Sequence, residues 1–237
     1  MTLNSESLFH FTNNRNNIEN ILREGYFWPI YCAEVDKEHK DHIHAYAFPM
    51  VCFCDIPLSQ IAEHTSDYGY YAIAMSKVWA KKKGVSPVIY YSGKESLAIR
   101  LFLRNEKNVS QKDNALWLSM LKKYRGKTWS WGSEGKGKYR VKVLYNEREW
   151  RYIPQGIPLK DLAKLVPYSD FSGKAMSNNT KKYGLKFSVS DIRYIIIKDE
   201  NEREDFLSKL KDIIPQESER SILSSKILTF EQIKEDF

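Results

Sequence analysis

The chain has 237 residues, enough for one domain with a sizeable core, and its 42% hydrophobic and 14% aromatic content exclude a disordered protein. Its 37 Lys and Arg outnumber 30 Asp and Glu, a net charge of +7 that indicates an acidic partner only where it is concentrated. No apolar run of about eighteen residues and no basic region before an apolar core is found, so we expect a cytoplasmic protein without membrane contact.

The first half of the chain mixes short apolar strands with helices. Residues 8–11 predict a strand, and cap-type residues then begin a helix that ends at Gly25. Residues 33–46 are polar and aperiodic, which predicts a surface loop. Further strands are expected at 51–54, 68–75 and 88–91, with a short helix at 58–64.

The second half is predicted to hold a helical insertion over about 95–124, built from helices at 95–103 and 114–124. The glycines at 126, 132, 135 and 137 predict a loop over 125–140. Strands at 141–145, 149–153, 185–189 and 192–197 and an amphipathic helix at 202–214 complete a single domain over 1–214. Residues 215–237 are expected to be a charged tail.

The order of these elements predicts an α+β fold, because strands and helices do not alternate regularly as in a doubly wound sheet. Neither G-x-G-x-x-G nor G-x-x-x-x-G-K-[ST] occurs, so a standard dinucleotide or P-loop site is not supported.

The cysteines are Cys32, Cys52 and Cys54, and an odd number cannot all pair within one chain. A metal site formed by Cys52 and Cys54 with a histidine from 39–44 is an alternative. However, zinc sites usually separate paired cysteines by about two to four residues and add a second ligand pair. We therefore expect no metal.

Two polar groups on apolar strands could hold a ligand. His10 and Thr12 share one strand face, ahead of Asn17, although a histidine satisfied within the core fits the same pattern. Tyrosines flank Gly69, and Tyr68 or Tyr71 could stack on a heteroaromatic ring or pack in the core.

The carboxylates Glu147 and Glu149 lie two apart, and in a strand they would share a face with Arg151. One interpretation is a surface ion-pair ladder. The other is catalytic: one carboxylate stabilises an oxocarbenium-like transition state while the other orients or deprotonates an acceptor.

A basic and aromatic segment precedes these carboxylates. Residues 122–142 hold eight basic residues against the single acid Glu134. Cations contact phosphates and aromatic rings stack on unpaired bases, so the segment indicates a single-stranded nucleic acid, with a solvated basic loop as the alternative. The expected contact residues are Lys127, Trp129, Trp131, Lys136, Lys138 and Arg140.

Several of these runs resemble the AbiGi family of bacterial abortive phage resistance proteins. They are Leu8–Thr12, Pro49–Ser59, Tyr68–Gly69, Ser76–Trp79 and Glu147–Tyr152, within a resemblance that covers about residues 8–200. The cysteine-containing run is its most specific part. The opening His-x-Thr also resembles DarT-type ADP-ribosyltransferases, which modify nucleic acid.

The second resemblance implies a split mixed sheet with NAD in its cleft. By analogy with the His-Tyr-Glu class, His10 would hold the adenosine-side ribose, a tyrosine from 68–71 would stack on nicotinamide, and Glu149 would grip the nicotinamide ribose. The expected NAD-binding residues are His10, Thr12, Asn17, Tyr68 and Tyr71, and the expected catalytic residues are Glu149 and Glu147.

These resemblances imply an NAD-dependent ADP-ribosyltransferase toxin in phage defence that modifies single-stranded RNA or DNA and is restrained by a cognate antitoxin protein. The AbiGi family is also labelled an antitoxin, which implies the alternative of a non-catalytic nucleic-acid-binding or antitoxin-type partner protein.

Overall fold

The computed structural model describes residues 5–35, 44–93, 96–97, 110–131, 137–167 and 173–236. The strands are β1 Ser7–Thr12, β2 Tyr26–Phe27, β3 Ile30–Val35, β4 His44–Cys54, β5 Tyr71–Ser76, β6 Ser86–Pro87, β7 Ile89–Tyr91, β8 Leu121–Lys123, β9 Arg125–Trp131, β10 Gly137–Val143, β11 Glu149–Tyr152, β12 Lys164–Pro167, β13 Leu185–Lys186, β14 Ile192–Ile197 and β15 Ile227–Thr229. The helices are α1 Arg15–Glu24, α2 Ile61–Tyr68, α3 Lys77–Lys82, α4 Gln111–Met120, α5 Leu159–Leu162, α6 Gly173–Met176, α7 Arg203–Ile213, α8 Glu217–Ser224 and α9 Phe230–Asp236.

A mixed sheet forms the centre of the molecule, with strands in the order β15-β14-β5-β1-β4-β11-β6. Its neighbouring strands run antiparallel except β14 and β15, which are parallel. The predicted α+β class is therefore confirmed at the level of a mixed sheet with helices.

Strand β4 joins two parts of this sheet. Its first half pairs with β3 and β12, and its last residues pair with β11. Phe9 of β1 and Glu149 of β11 are both paired with Cys54, one from each side of β4. Directly paired residues of antiparallel strands share a face, so this register fixes which polar groups lie on the same side of the sheet.

Helices cover both faces of the sheet. One face packs Leu8, Phe53 and Ile73 against residues of α1, α3, α7 and α8. The opposite face packs Phe9, Ala72 and Ala74 against Ile61 of α2 and Ile233 of α9. Alternate strand residues therefore enter different cores, as the pleat requires.

Helix α1 confirms the sequence prediction. The Asn14 side chain accepts the Asn16 amide at the N-terminus, and Gly25 ends the helix in the left-handed conformation with φ 67°. Ile18 and Leu22 are buried, because their spacing puts them on one helix face.

The predicted loops at 125–140 and 33–46 are wrong in part, because strands occupy much of both segments. β9 and β10 form an antiparallel hairpin with register pairs from Arg125↔Val143 to Trp131↔Gly137. Two of the glycines, at 126 and 137, are accommodated within these strands. In the other segment β3 extends to Val35 and β4 begins at His44, while residues 36–43 lie outside the described part of the chain.

The predicted insertion and tail also differ from what is observed. The helix expected at 114–124 spans Gln111–Met120, and Leu121–Lys123 continue as a strand parallel to β7. Residues 98–109 lie outside the description. The expected tail folds onto the domain: α8, β15 and α9 bury Leu223, Ile227 and Ile233, and β15 pairs with β14.

Gly69 lies where α2 meets the end of β1. Its φ is 97°, and a Cβ there would lie 2.3 Å from Asn13 Cα and 2.5 Å from the Thr12 carbonyl oxygen. The close approach anticipated at this glycine is therefore made to the chain's own backbone.

We predict that Gly69→Ala lowers the free energy of unfolding by more than about 2 kcal/mol, because strain and a backbone clash add together. Gly25→Ala is the matched control, since Gly25 has φ 67° but no atom within 4 Å of the added Cβ. Gly25→Ala should therefore lower the free energy of unfolding by only about 1 kcal/mol. Urea unfolding of both variants measures this, and equal losses would contradict the steric account.

Candidate functional site

Glu149 begins strand β11 directly after Arg148, which has a left-handed φ of 44°. Its side chain is only 4% exposed, and its amide donates to the Tyr90 hydroxyl at 2.9 Å. Glu149 and Arg151 share a strand face, as predicted. Glu147 instead lies in the 3₁₀ turn Leu144–Glu147, so it is not part of a three-residue ladder on one strand.

Arg151 is fully buried and holds Glu149 with two hydrogen bonds. Arg151 Nε lies 2.6 Å from Glu149 Oε1, and Nη2 lies 3.2 Å from Oε2. The same guanidinium donates to the Ser119 carbonyl and to Glu34 Oε1. Three separate elements, β11, β3 and α4, therefore meet at one side chain.

Lysines complete this arrangement. Lys122 Nζ lies 2.7 Å from Glu149 Oε2 and 3.4 Å from Glu147 Oε2, and Lys142 Nζ lies 3.3 Å from Glu147 Oε1. The Tyr68 hydroxyl donates to Glu147 Oε1. We call Glu34, Lys122, Lys142, Glu147, Glu149 and Arg151 the ion-pair cluster; within the described residues its carboxylates and cations balance.

The cluster favours the charged forms of Glu149 and Lys122. Burial alone would raise the pKa of Glu149, but Arg151 and Lys122 hold it well below its usual range. Burial would lower the pKa of Lys122, yet Glu149 and the neighbouring carboxylates hold it well above its usual value. Burial and Glu147 raise the pKa of Tyr68 well above normal. A carboxylate held so firmly in its charged form is a poor base near neutral pH.

His10 lies on the other side of the sheet. It contacts the rings of Phe27 and Phe53, at centroid distances of 5.1 and 5.7 Å, and these rings belong to the core opposite Phe9. His10 Nδ1 is 2.9 Å from the Cys52 carbonyl oxygen, so it carries the proton and donates. Burial lowers the pKa of His10, which favours the neutral ring. The interpretation as a satisfied core histidine accounts for these contacts.

The other predicted NAD-binding residues do not all lie on the same face of the central sheet. Thr12 is paired with Tyr71 on the His10 side and accepts from Asn17 Nδ2 at 2.7 Å. The Tyr71 hydroxyl donates to Glu202 at 2.8 Å. Tyr68 instead joins the ion-pair cluster through Glu147. The structure therefore does not bring the predicted His-Tyr-Glu set into one cleft.

A cavity of about 390 Å³ reaches Arg151 from the outside. Its lining includes Ser86, Trp117, Ser119 and Met120, but neither His10 nor Glu149. This cavity thus lies beside Arg151 and apolar side chains rather than beside the predicted catalytic carboxylate.

Five of the six predicted nucleic-acid-binding residues have their backbone in the hairpin, where Trp129 is paired with Tyr139 and Lys127 with Val141. Trp131, Lys138 and Arg140 are also strand positions. The structure describes no part of Lys136, and it does not describe the side chains of the other five predicted residues, Lys127, Trp129, Trp131, Lys138 and Arg140. Their contact with nucleic acid stays a prediction.

The cysteines are free thiols on β3 and β4. A hydrogen bond with Cys32, together with burial, raises the pKa of Cys52 well above its usual value, and burial raises that of Cys54. Neither is a reactive thiolate. No group of three or more His, Cys, Asp or Glu side chains able to hold a metal occurs among the described residues; His39 and His42 are outside them.

Within the described ranges, no helix is long and apolar enough to cross a membrane.

Sequence reasoning missed Glu34, Lys122, Lys142 and the Ser119 carbonyl. They come from β3, β8, β10 and α4, and no local spacing connects them. An Arg in a strand otherwise rich in aromatic residues was the available signal, because a buried guanidinium requires several acceptors and one neighbouring carboxylate cannot satisfy it alone.

A family profile described as "Putative abortive phage resistance protein AbiGi, antitoxin" matches residues 26–198. A relative from Lactococcus lactis subsp. cremoris, named "Abortive phage resistance protein AbiGi", is 34% identical over 222 residues, covering 80% of this chain and 88% of the relative. The chain belongs to the AbiGi family. No solved structure matches it, so the ADP-ribosyltransferase-like fold and the likeness to DarT-type enzymes stay predictions.

We predict that Arg151→Met lowers the free energy of unfolding by about 3–5 kcal/mol, because it removes the buried cation that Glu149 and Glu34 share and leaves Glu149 with Lys122 alone. Arg23→Met is the control: Arg23 is exposed and donates a hydrogen bond to Asn20 Oδ1 at the surface, so the loss on substitution should stay within about 0.5 kcal/mol. Urea unfolding gives both values. A small loss of unfolding free energy for Arg151→Met would show that the ion-pair cluster contributes little to stability.

The depressed pKa of Glu149 predicts a specific acid sensitivity. A carboxyl group whose pKa is lower in the folded protein stabilises it above the unfolded pKa of about 4.3, and this stabilisation disappears as the pH falls further. The wild type should therefore lose more stability than Glu149→Gln between about pH 5 and pH 3. Thermal unfolding at several pH values tests this, and parallel curves would contradict it.

Proposed function

We propose that this chain is a non-catalytic, antitoxin-type partner protein of an abortive-infection system and that it acts by binding the system's toxin. The family description names an antitoxin, and the Lactococcus relative is named an abortive phage resistance protein. The observation that carries the proposal is the state of Glu149: both carboxylate oxygens are engaged by Arg151 and Lys122, and the side chain is buried.

This state argues against the catalytic interpretation. A glutamate that stabilises an oxocarbenium-like transition state must present a free oxygen to the sugar. Releasing Glu149 for that purpose would leave Arg151 and Lys122 as buried cations with fewer partners, which is costly. The position of His10 across the sheet adds a second obstacle, because a single NAD molecule would have to contact both faces.

NAD-dependent ADP-ribosyl transfer stays a prediction from sequence resemblance, and no contact of the described residues favours it. The two interpretations differ in what the chain does when expressed alone. A toxin arrests growth by itself, whereas an antitoxin has no effect until its toxin is present.

We predict that inducible expression of this chain alone leaves bacterial growth unchanged and that co-expression relieves the arrest caused by the toxin of its own system. The measurement is the growth curve after induction, with Glu149→Gln as a matched variant of near-equal shape. Growth arrest by the wild type that Glu149→Gln abolishes would overturn the proposal and favour the enzyme.

The biochemical counterpart uses purified protein with nicotinamide-labelled NAD and RNA, single-stranded DNA or lysate. We expect no nicotinamide release above a protein-free blank. Mixing the chain with its purified toxin should give one complex in size-exclusion chromatography. Nicotinamide release that depends on Glu149, or failure to associate with the toxin, contradicts the proposal.

A further inference from the structure

Tyr90, Tyr124 and Tyr145 form a continuous aromatic surface at the base of the β9–β10 hairpin; we call it the tyrosine platform. The rings of Tyr124 and Tyr145 are stacked, with centroids 5.4 Å apart and planes 25° apart. Tyr90 meets Tyr145 edge-on at 5.1 Å. Tyr124 and Tyr145 are 44% and 46% exposed, so nearly half of each side chain faces solvent.

The backbone holds the platform in place. The Tyr124 amide donates to the Tyr91 carbonyl at 2.7 Å, and the Tyr145 amide donates to the Tyr124 carbonyl at 3.2 Å. The Tyr90 hydroxyl accepts the Glu149 amide at 2.9 Å, which ties one ring to the ion-pair cluster. Because these bonds hold the backbone of Tyr124 and Tyr145 and the Tyr90 hydroxyl, and the rings contact one another, less side-chain entropy is lost when a ligand binds than for separate exposed side chains.

The surroundings of the platform are cationic. Exposed Arg125 follows Tyr124 directly and begins β9. The sequence of segment 122–142 carries eight basic residues and one acid, and two of the basic residues, Lys122 and Lys142, belong to the ion-pair cluster. Exposed aromatic rings beside Arg125, in a segment rich in basic residues, meet both requirements of a single-stranded nucleic acid, which offers unpaired bases to stack and phosphates to neutralise.

We propose that the tyrosine platform binds an unpaired base of a single-stranded nucleic acid whose backbone passes Arg125 at the start of β9. This inference does not rest on the antitoxin role and assigns the chain a second ligand. A base would stack on the exposed side of Tyr124 or Tyr145, while Arg125 contacts a neighbouring phosphate. Charge complementarity favours a polyanion over a neutral apolar partner at this surface, because only an anion would interact favourably with Arg125.

The test measures fluorescence anisotropy of labelled single-stranded DNA and RNA of about twelve nucleotides with the full chain at about 50 mM salt. We expect binding by the wild type and an affinity about 5- to 150-fold weaker for Tyr145→Ala, the range given by loss of one base–aromatic stack. Tyr145→Phe keeps the ring and should bind nearly as the wild type does. Arg125→Ala should lower the slope of log affinity against log salt by about 0.7.

Tyr70→Ala is the matched control, because Tyr70 is 42% exposed but contacts Phe230 of α9. It should leave binding unchanged, and thermal unfolding confirms that each variant is folded. The proposal is overturned if the wild type binds no oligonucleotide, if Tyr145→Ala binds as tightly as the wild type, or if Tyr145→Phe is as weak as Tyr145→Ala. It is also overturned if Tyr145→Ala loses only toxin binding, which would identify a protein interface.

Discussion

The fully buried guanidinium of Arg151 imposes the constraint on which the arrangement around β11 depends. Removing such a charge from water costs several kcal/mol, and the cost is offset only where partners satisfy the group completely. Here the partners are Glu149, Glu34 and the Ser119 carbonyl. The chain can meet this requirement in one arrangement, with β3, β11 and the end of α4 brought together, so the cluster specifies tertiary structure as well as local charge balance.

The register of the central strands explains why two promising polar residues do not cooperate. Phe9, Cys54 and Glu149 are paired in a row across β1, β4 and β11. His10 is adjacent to Phe9 and therefore points to the opposite face. A shift of one residue in either pairing would have placed His10 and Glu149 together. Their separation is therefore a property of register, which is not visible in any one segment of the sequence.

Local signals in the sequence were sufficient for some elements. Helix α1 was predictable because its cap residues, its buried stripe and Gly25 all agree, and β14 because three isoleucines follow one another at 195–197. The short-range pairing of Glu149 with Arg151 was also predictable from the two-residue period of a strand.

Other elements depended on distant partners. The β9–β10 hairpin was hidden because glycines occur inside its strands, where pairing with the opposite strand outweighs their low β-propensity. The C-terminal segment carries its apolar residues singly or in short pairs between charged and polar ones, and its strand β15 is recognisable only from its pairing with β14. Lys122 and Glu34 join the candidate site from elements whose own sequences give no reason to connect them.

The late position of β15 in the chain has a consequence during synthesis of the protein and after proteolytic trimming. Strand β14 is fully assembled only when a segment about thirty residues further on adds to its free edge, so the isoleucine-rich ladder stays open until synthesis passes Thr229. A nascent or proteolytically trimmed chain that lacks this strand presents an unpaired apolar edge, the kind of surface that chaperones retain and that recruits other strands into aggregates. Strand β15 thus protects the edge of β14 from such contacts.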